Sequence, residues 1–141
     1  MSSAAAKREF SAGGVVVRDG DVIVVVPVKR DVDGNRVLAL PKGHPDGEET
    51  AEAAAEREVR EETGVEARLI EKLGDVSYEY QRRGHQVAKL VAYYLFEYRW
   101  GDVADHDSEI EEARWMRLED AAQSLTYAGE REMVKRAMSR S

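Results

Sequence analysis

The sequence of 141 residues predicts a single α/β or α+β sandwich, and three observations carry that expectation. Two Val-rich runs flank the dipeptide Asp19-Gly20, a pairing that favours a tight hairpin turn. An Ala- and Glu-rich stretch from Thr50 to Thr63 contains nothing that breaks a helix. Two long aliphatic and aromatic runs, Ala67 to Tyr80 and His85 to Tyr98, are joined by a polar turn from Gln81 to Gly84. Strands and helices together bury their apolar faces best as stacked layers. With 43% hydrophobic residues, a chain of this length supports one core, so one domain over 1–141 is expected, with residues 1–8 disordered.

Taken in order, Phe10 to Arg18 and Val22 to Lys29 read as paired strands. Pro27 cannot donate to a ladder, so the second strand should be at an edge there or be ending. Val37 to Leu40 reads as a short strand, and Pro41 to Glu49 as an irregular loop. The helix follows, with Gly64 where a left-handed cap belongs. After the long hairpin come a polar loop over 101–108 and a strand from Ala113 to Arg117. Residues 118–140 read as helix, broken near Tyr127 to Gly129.

A net charge of −7 excludes a broad grip on long nucleic acid, which relies on clustered Lys and Arg. An anionic ligand would need bound cations or a small focused basic patch. The lack of Cys removes disulfides, thiolate metal sites and a cysteine nucleophile, and fits a reducing compartment. The strongest apolar run, Val22 to Val28, is too short to span a bilayer, and MSSAAAKREF has no signal-like apolar stretch, so a soluble, cytoplasmic monomer or homodimer is expected.

Glu58, Glu61 and Glu62 stand at i, i+3 and i+4, so their carboxylates share one helix face. Their repulsion, and their place near the negative end of the helix dipole, are penalties that a divalent cation would reverse. Hard oxygen ligands suit Mg2+ or Mn2+. A solvated helix is the competing interpretation, since Glu56 can reach Arg60 and Arg57 can reach Glu61 at i, i+4.

The wider pattern decides between them. Gly43, Glu49, Arg57, Glu58, Val59, Glu61, Glu62, Gly64 and Val65 occur at the spacing that defines the Nudix box, a match expected by chance in about one chain in a million. The segment GHPDGEETAEAAAEREVREETGV resembles that family throughout, and AGGVVV and YEYQRRGHQVAKLVAYYLFEY also resemble its strands. In one respect the chain departs: many members have Gly directly before the first box glutamate, whereas here Glu48 stands between Gly47 and Glu49, so the turn into the helix should differ.

The resemblance implies an α/β/α sandwich with a mixed sheet and a metal-dependent pyrophosphohydrolase. Glu58, Glu61 and Glu62 would hold one to three Mg2+ or Mn2+ ions, with the Gly43 carbonyl as a further ligand, and Glu49 with Arg57 would form a supporting pair. The general base would be Glu61, with Glu109 in the DSEIEE loop as second choice; Glu109 reads equally well as a solvated acid.

For substrate contacts, Lys42, Arg82, Arg83, His85 and Lys89 could make the basic patch, although the arginines also read as a solvated turn and His85 as a turn residue rather than a ligand. Tyr78 and Tyr80 share a strand face and could stack a purine or simply pack in the core. With LPKGHPD, these residues resemble the bacterial and archaeal diadenosine tetraphosphate hydrolases, in which a residue placed like Tyr127 can close over a base. That implies a small nucleotide substrate, cut asymmetrically. The rivals are a sanitiser of oxidised nucleoside triphosphates, hydrolases of ADP-ribose or diphosphoinositol polyphosphates, an RNA decapping enzyme, and a silent nucleotide-binding sensor.

Overall fold

A computed structural model describes residues 7–140. Its order is β1 (Lys7–Arg18), β2 (Asp21–Pro27), β3 (Lys42–Gly43), α1 (Ala51–Thr63), β4 (Val65–Arg82), β5 (His85–Gly101), β6 (Ile110–Arg117), α2 (Leu118–Ser124) and α3 (Ala128–Met138), with a 3-10 turn at Val103–Asp105 before β6. The expected disorder of residues 1–8 is corrected at Lys7 and Arg8, which pair with Val87 and Ala88; the rest of that segment lies outside the described residues.

The sheet runs β4-β5-β1-β2-β6, with β3 also on β1. It is mixed, because β1 and β5 are parallel while the other pairs are antiparallel. Strand alternation sorts side chains between two layers. Ala12, Val16, Ile23, Ala92, Tyr94 and Phe96 meet Ala54, Ala55 and Val59 of α1. Val15, Val22, Val24, Val91, Tyr93 and Leu95 face the other way, onto Leu118 and Ala121 of α2 and Met133 and Val134 of α3. The molecule is the α/β/α sandwich the sequence implied.

Both hairpin turns obey their local chemistry. Asp19 and Gly20 have φ of 50° and 87°, and Arg83 and Gly84 have 52° and 79°, the paired left-handed residues of a two-residue turn. Pro27 ends β2 at a register shift. Two expectations need correction. Val37 to Leu40 is not a full strand: only Ala39 pairs with β2, exchanging both backbone bonds with Val25 at 2.8 Å. The neighbouring N–H groups go to side chains instead, Leu38 to Thr126 Oγ1 (2.8 Å) and Leu40 to Glu130 Oε1 (3.0 Å). The loop after it is not wholly irregular either, since Lys42 and Gly43 pair with Gly13 and Ala12. The helix break near 127–129 falls at Leu125 to Tyr127; Gly129 lies inside α3, where a Cβ would overlap the Val76 side chain.

Candidate active site

Helix α1 presents the carboxylates. Thr50 caps its N-terminus, its side chain accepting the Ala53 N–H at 3.1 Å. Gly64 ends it at φ 79°, donating to the Arg60 carbonyl at 2.9 Å. Gly47, at φ 53°, makes the turn into the helix, closed by the Glu49 N–H on the Asp46 carbonyl at 2.9 Å; the added Glu48 is accommodated there.

The guanidinium of Arg57 organises the acids. It donates to both oxygens of Glu49 (Nε to Oε2 2.9 Å, Nη2 to Oε1 3.0 Å), to the His44 carbonyl (2.9 Å), and through Nη1 to Glu58 Oε2 and Glu61 Oε1 (3.1 Å each). The planar fork can serve several acceptors at once, as a lysine could not. Arg57 accordingly holds Glu49 below the usual carboxylate range, helped by the Asp46 N–H, and its own proton is held more tightly by Glu49. Of the ion pairs expected on the helix surface, Arg57–Glu61 forms, whereas Arg60 pairs with Glu66 rather than Glu56.

Glu58 and Glu62 turn inward. Burial raises Glu58, against the pull of Arg57. Burial and repulsion from Glu58 push Glu62 up to about 8, opposed by the Lys42 N–H, which donates to Glu62 Oε1 at 3.2 Å. Gly43 lies against this pair, and a Cβ on it would overlap the Glu58 carboxylate. Glu61 is more exposed, at 45% of its side chain. Among the described residues no group of three or more His, Asp and Glu side chains is arranged to hold a metal ion as it stands. One oxygen each of Glu58 and Glu61 is engaged by Arg57. The donor set nevertheless fits a hard divalent cation: two partly buried carboxylates whose proton affinity is raised chiefly by burial, beside a glycine that leaves them room.

A cleft of about 740 Å³ opens in front of them and brings together Lys42, Gly43, Glu58, Glu62, Lys89 and Glu109. The 107–109 loop is anchored by the Asp107 N–H on the Glu61 carbonyl (2.9 Å) and the Glu109 N–H on Asp107 Oδ1 (3.1 Å). Lys29, unremarked in the sequence, lines the same cleft; its signal is only that it follows the proline ending β2. Lys29, Lys42 and Lys89 make no ion pair among the described residues. Burial, reinforced by Lys42, lowers Lys89 to about 8.

The tyrosines and arginines divide. Tyr78 lies opposite Lys89 in register, is 43% exposed, and is pushed up to about 12 mainly by burial, with Glu130, Tyr80 and Tyr127 contributing. Tyr127, at the N-terminus of α3, is 48% exposed. Tyr80 instead donates to Glu9 Oε1 (2.8 Å), and Arg82 pairs with Glu9 Oε2 (2.8 Å) and covers the Tyr80 ring. None of Tyr78, Tyr80, Arg82 and Tyr127 lines the cleft, although Tyr78 meets Lys89 in a neighbouring hollow, and Arg82, paired with Glu9, is not part of an uncompensated basic patch. Arg83 and His85 are exposed at the hairpin tip. Two residues overlooked in the sequence matter here. Glu9 neutralises Arg82, and Glu130 is 2% exposed beneath the cleft; the apolar spacing of Met133, Val134 and Ala137 on its helix is the signal that could have placed Glu130 inside.

In a comparison with known families, residues 5–137 match the NUDIX domain. The chain belongs to the Nudix hydrolase family. It is similar to the protein named MutT4 of Mycobacterium tuberculosis (36% identity, 91% of this chain, 54% of that one). It is also similar to the 8-oxo-(d)GTP phosphatase of Mycolicibacterium smegmatis (35%, 72% of this chain, 30% of that one). A third relative is the asymmetrical bis(5'-nucleosyl)-tetraphosphatase of Mus musculus (37%, 67% of this chain, 65% of that one). The chain thus spans about half or less of the length of the first two. A Nudix hydrolase from Nitrosomonas europaea has the same fold, with a TM-score of 0.76 at 20% identity over 95% of this chain and 90% of that one. Nudix hydrolases as a family act on small nucleotide substrates and generally need divalent metal ions. No helix among the described residues is long and apolar enough to cross a membrane.

Proposed function

We propose that this Nudix domain is a divalent-metal-dependent hydrolase of nucleoside polyphosphates, cutting dinucleoside tetraphosphates asymmetrically into a nucleoside triphosphate and a monophosphate. The observation that carries the reading is that one cleft holds Glu58 and Glu62, backed by Gly43, together with Lys42 and Lys89, which make no ion pair among the described residues. That cleft offers ligands for a cation and charges for a phosphate chain in the same place.

Glu58, Glu61 and Glu62, with the Gly43 carbonyl, would hold Mg2+ or Mn2+. When bound, the cation would supply positive charge against the phosphate oxygens and make the attacking water more acidic. Arg57 and Glu49 are positioning residues, fixing the carboxylates from behind. Lys42 and Lys89 bind phosphate oxygens, and Tyr78 with Tyr127 offers exposed rings to a base. Glu61 takes the water proton, with Glu109 the second candidate; the water oxygen bonds to phosphorus as the bridging oxygen leaves on the departing phosphate. Tyr80 and Arg82 act only indirectly, through Glu9.

Similarity to the mouse tetraphosphatase supports the dinucleotide reading, and similarity to the mycobacterial 8-oxo-(d)GTP phosphatase favours a second, hydrolysis of oxidised nucleoside triphosphates. Incubation with Mg2+ and a panel of dinucleoside polyphosphates, nucleoside triphosphates, nucleotide sugars and inositol pyrophosphates, with chromatographic identification of products, separates them. ATP plus AMP from diadenosine tetraphosphate is the expected result. Monophosphate plus pyrophosphate from triphosphates alone would replace the first reading by the second, and no turnover of any member would refute both.

A further inference from the structure

Between Leu38 and Lys42 the chain is extended, and every second N–H ends on a side-chain oxygen: Leu38 on Thr126 Oγ1 (2.8 Å), Leu40 on Glu130 Oε1 (3.0 Å) and Lys42 on Glu62 Oε1 (3.2 Å). The opposite edge is bonded to the sheet, through Ala39 on Val25 and the Pro41 carbonyl on the Gly14 N–H (3.1 Å). Thr126 also returns its own N–H to the Leu38 carbonyl at 2.9 Å. The α2–α3 junction therefore stands where a neighbouring strand would, and Glu62, one of the proposed metal carboxylates, is the next acceptor along that same edge. Glu130 is 2% exposed, its second oxygen accepts the Tyr93 hydroxyl at 2.6 Å, and no cation pairs with it among the described residues. A carboxylate is costly to bury, and its retention calls for a specific partner.

We propose that Glu130 is a positioning residue for the metal site: by holding the Leu40 N–H it fixes the Pro41-Lys42-Gly43 segment, and with it the Glu62 carboxylate and the space behind Glu58. This inference rests on the metal-site reading above. Removing the acceptor frees Leu40, and the segment two residues on loses the register that aims the Lys42 N–H at Glu62. The hydroxyl of Tyr93 makes a discriminating control, because its hydrogen bond goes to the other Glu130 oxygen, not the one that holds the Leu40 N–H. Glu130→Gln is the conservative variant: the amide oxygen can still accept from Leu40 while its NH2 donates to a phenol turned to accept.

The test is Mn2+ affinity of the purified protein without substrate, followed by electron paramagnetic resonance, alongside a thermal unfolding midpoint for each variant. Glu130→Leu is expected to weaken Mn2+ binding by about tenfold or more, the usual effect of losing an outer support of a metal ligand. Glu130→Gln should stay within about threefold of the original, and Tyr93→Phe should lower the midpoint while leaving Mn2+ affinity unchanged. Thr126→Val, a surface change at Leu38, covers the case in which Glu130→Leu does not fold, and should weaken Mn2+ binding about threefold or more. Equal losses in Tyr93→Phe and Glu130→Leu, or unchanged affinity in both Glu130→Leu and Thr126→Val, would overturn the proposal. Failure of the original protein to bind Mn2+, or binding indifferent to Glu62→Gln, would instead overturn the underlying metal-site reading.

Discussion

At Gly43 the absence of a side chain matters as much as the carboxylate beside it, because a Cβ would occupy the volume of the Glu58 carboxyl group. Gly43→Ala should cut turnover about tenfold or more with the fold retained, read from steady-state kinetics and circular dichroism. Glu62→Gln should cost roughly 100-fold, and unchanged turnover in folded, purified variant would remove Glu62 from the site. The pH dependence follows from the same residue. With its pKa near 8, Glu62 takes up a proton on folding at neutral pH, so it favours the folded metal-free protein at low pH and that benefit is lost as pH rises through 8. A cation takes only the ionised carboxylate, so the rise in melting temperature produced by Mg2+ should grow between pH 6 and 9. Lys89, also near 8, works in the opposite sense: its charge, and with it phosphate affinity, fades above that pH. A Mg2+ effect on melting that stays flat across the window would contradict the assignment of Glu62.

Helix α1 was the element most legible in the sequence, because its caps are local. Thr50 bonds a residue three positions on, and the left-handed Gly64 bonds one four positions back. Thr50→Ala should lower stability by about 1 kcal/mol in urea denaturation without changing kcat. Gly64→Ala should cost about 1–3 kcal/mol, since a Cβ there would also press on the backbone at Asp102 and Asp105. The hairpins were legible for the same local reason, although β4 runs two residues longer at each end than its apolar run suggested and β5 runs on from Tyr98 to Gly101. Val37 to Leu40 was misjudged as a strand because its pattern is that of one. Its partners are Thr126 and Glu130, nearly 90 residues away, and local pattern carries no information about them.

Over the whole molecule, acidity and anion binding are reconciled by distribution. Most exposed arginines are paired with acids, as Arg68 is with Glu97 and Arg82 with Glu9, so they add little to the outer field. Lys29, Lys42 and Lys89, which make no ion pair among the described residues, line the cleft instead. KM for a polyphosphate substrate should therefore rise with ionic strength while kcat changes little, as expected for a focused and screenable charge cluster.

By itself the sequence determined the layered α/β class, the helix with its C-terminal glycine cap, and the spacing that sets three glutamates and an arginine on one stretch of helix, because each depends on residues a few positions apart. Only the tertiary structure decided that Glu58 and Glu62 line a cleft while Glu61 is more exposed and does not, that Lys89 makes no ion pair among the described residues while Arg82 is neutralised by Glu9, and that Glu130 is buried with its carboxylate on the Leu40 N–H. Those outcomes depend on which distant strands pair and which charges then become neighbours, and pairing across 70 or more residues is set by packing of the whole sheet rather than by local pattern.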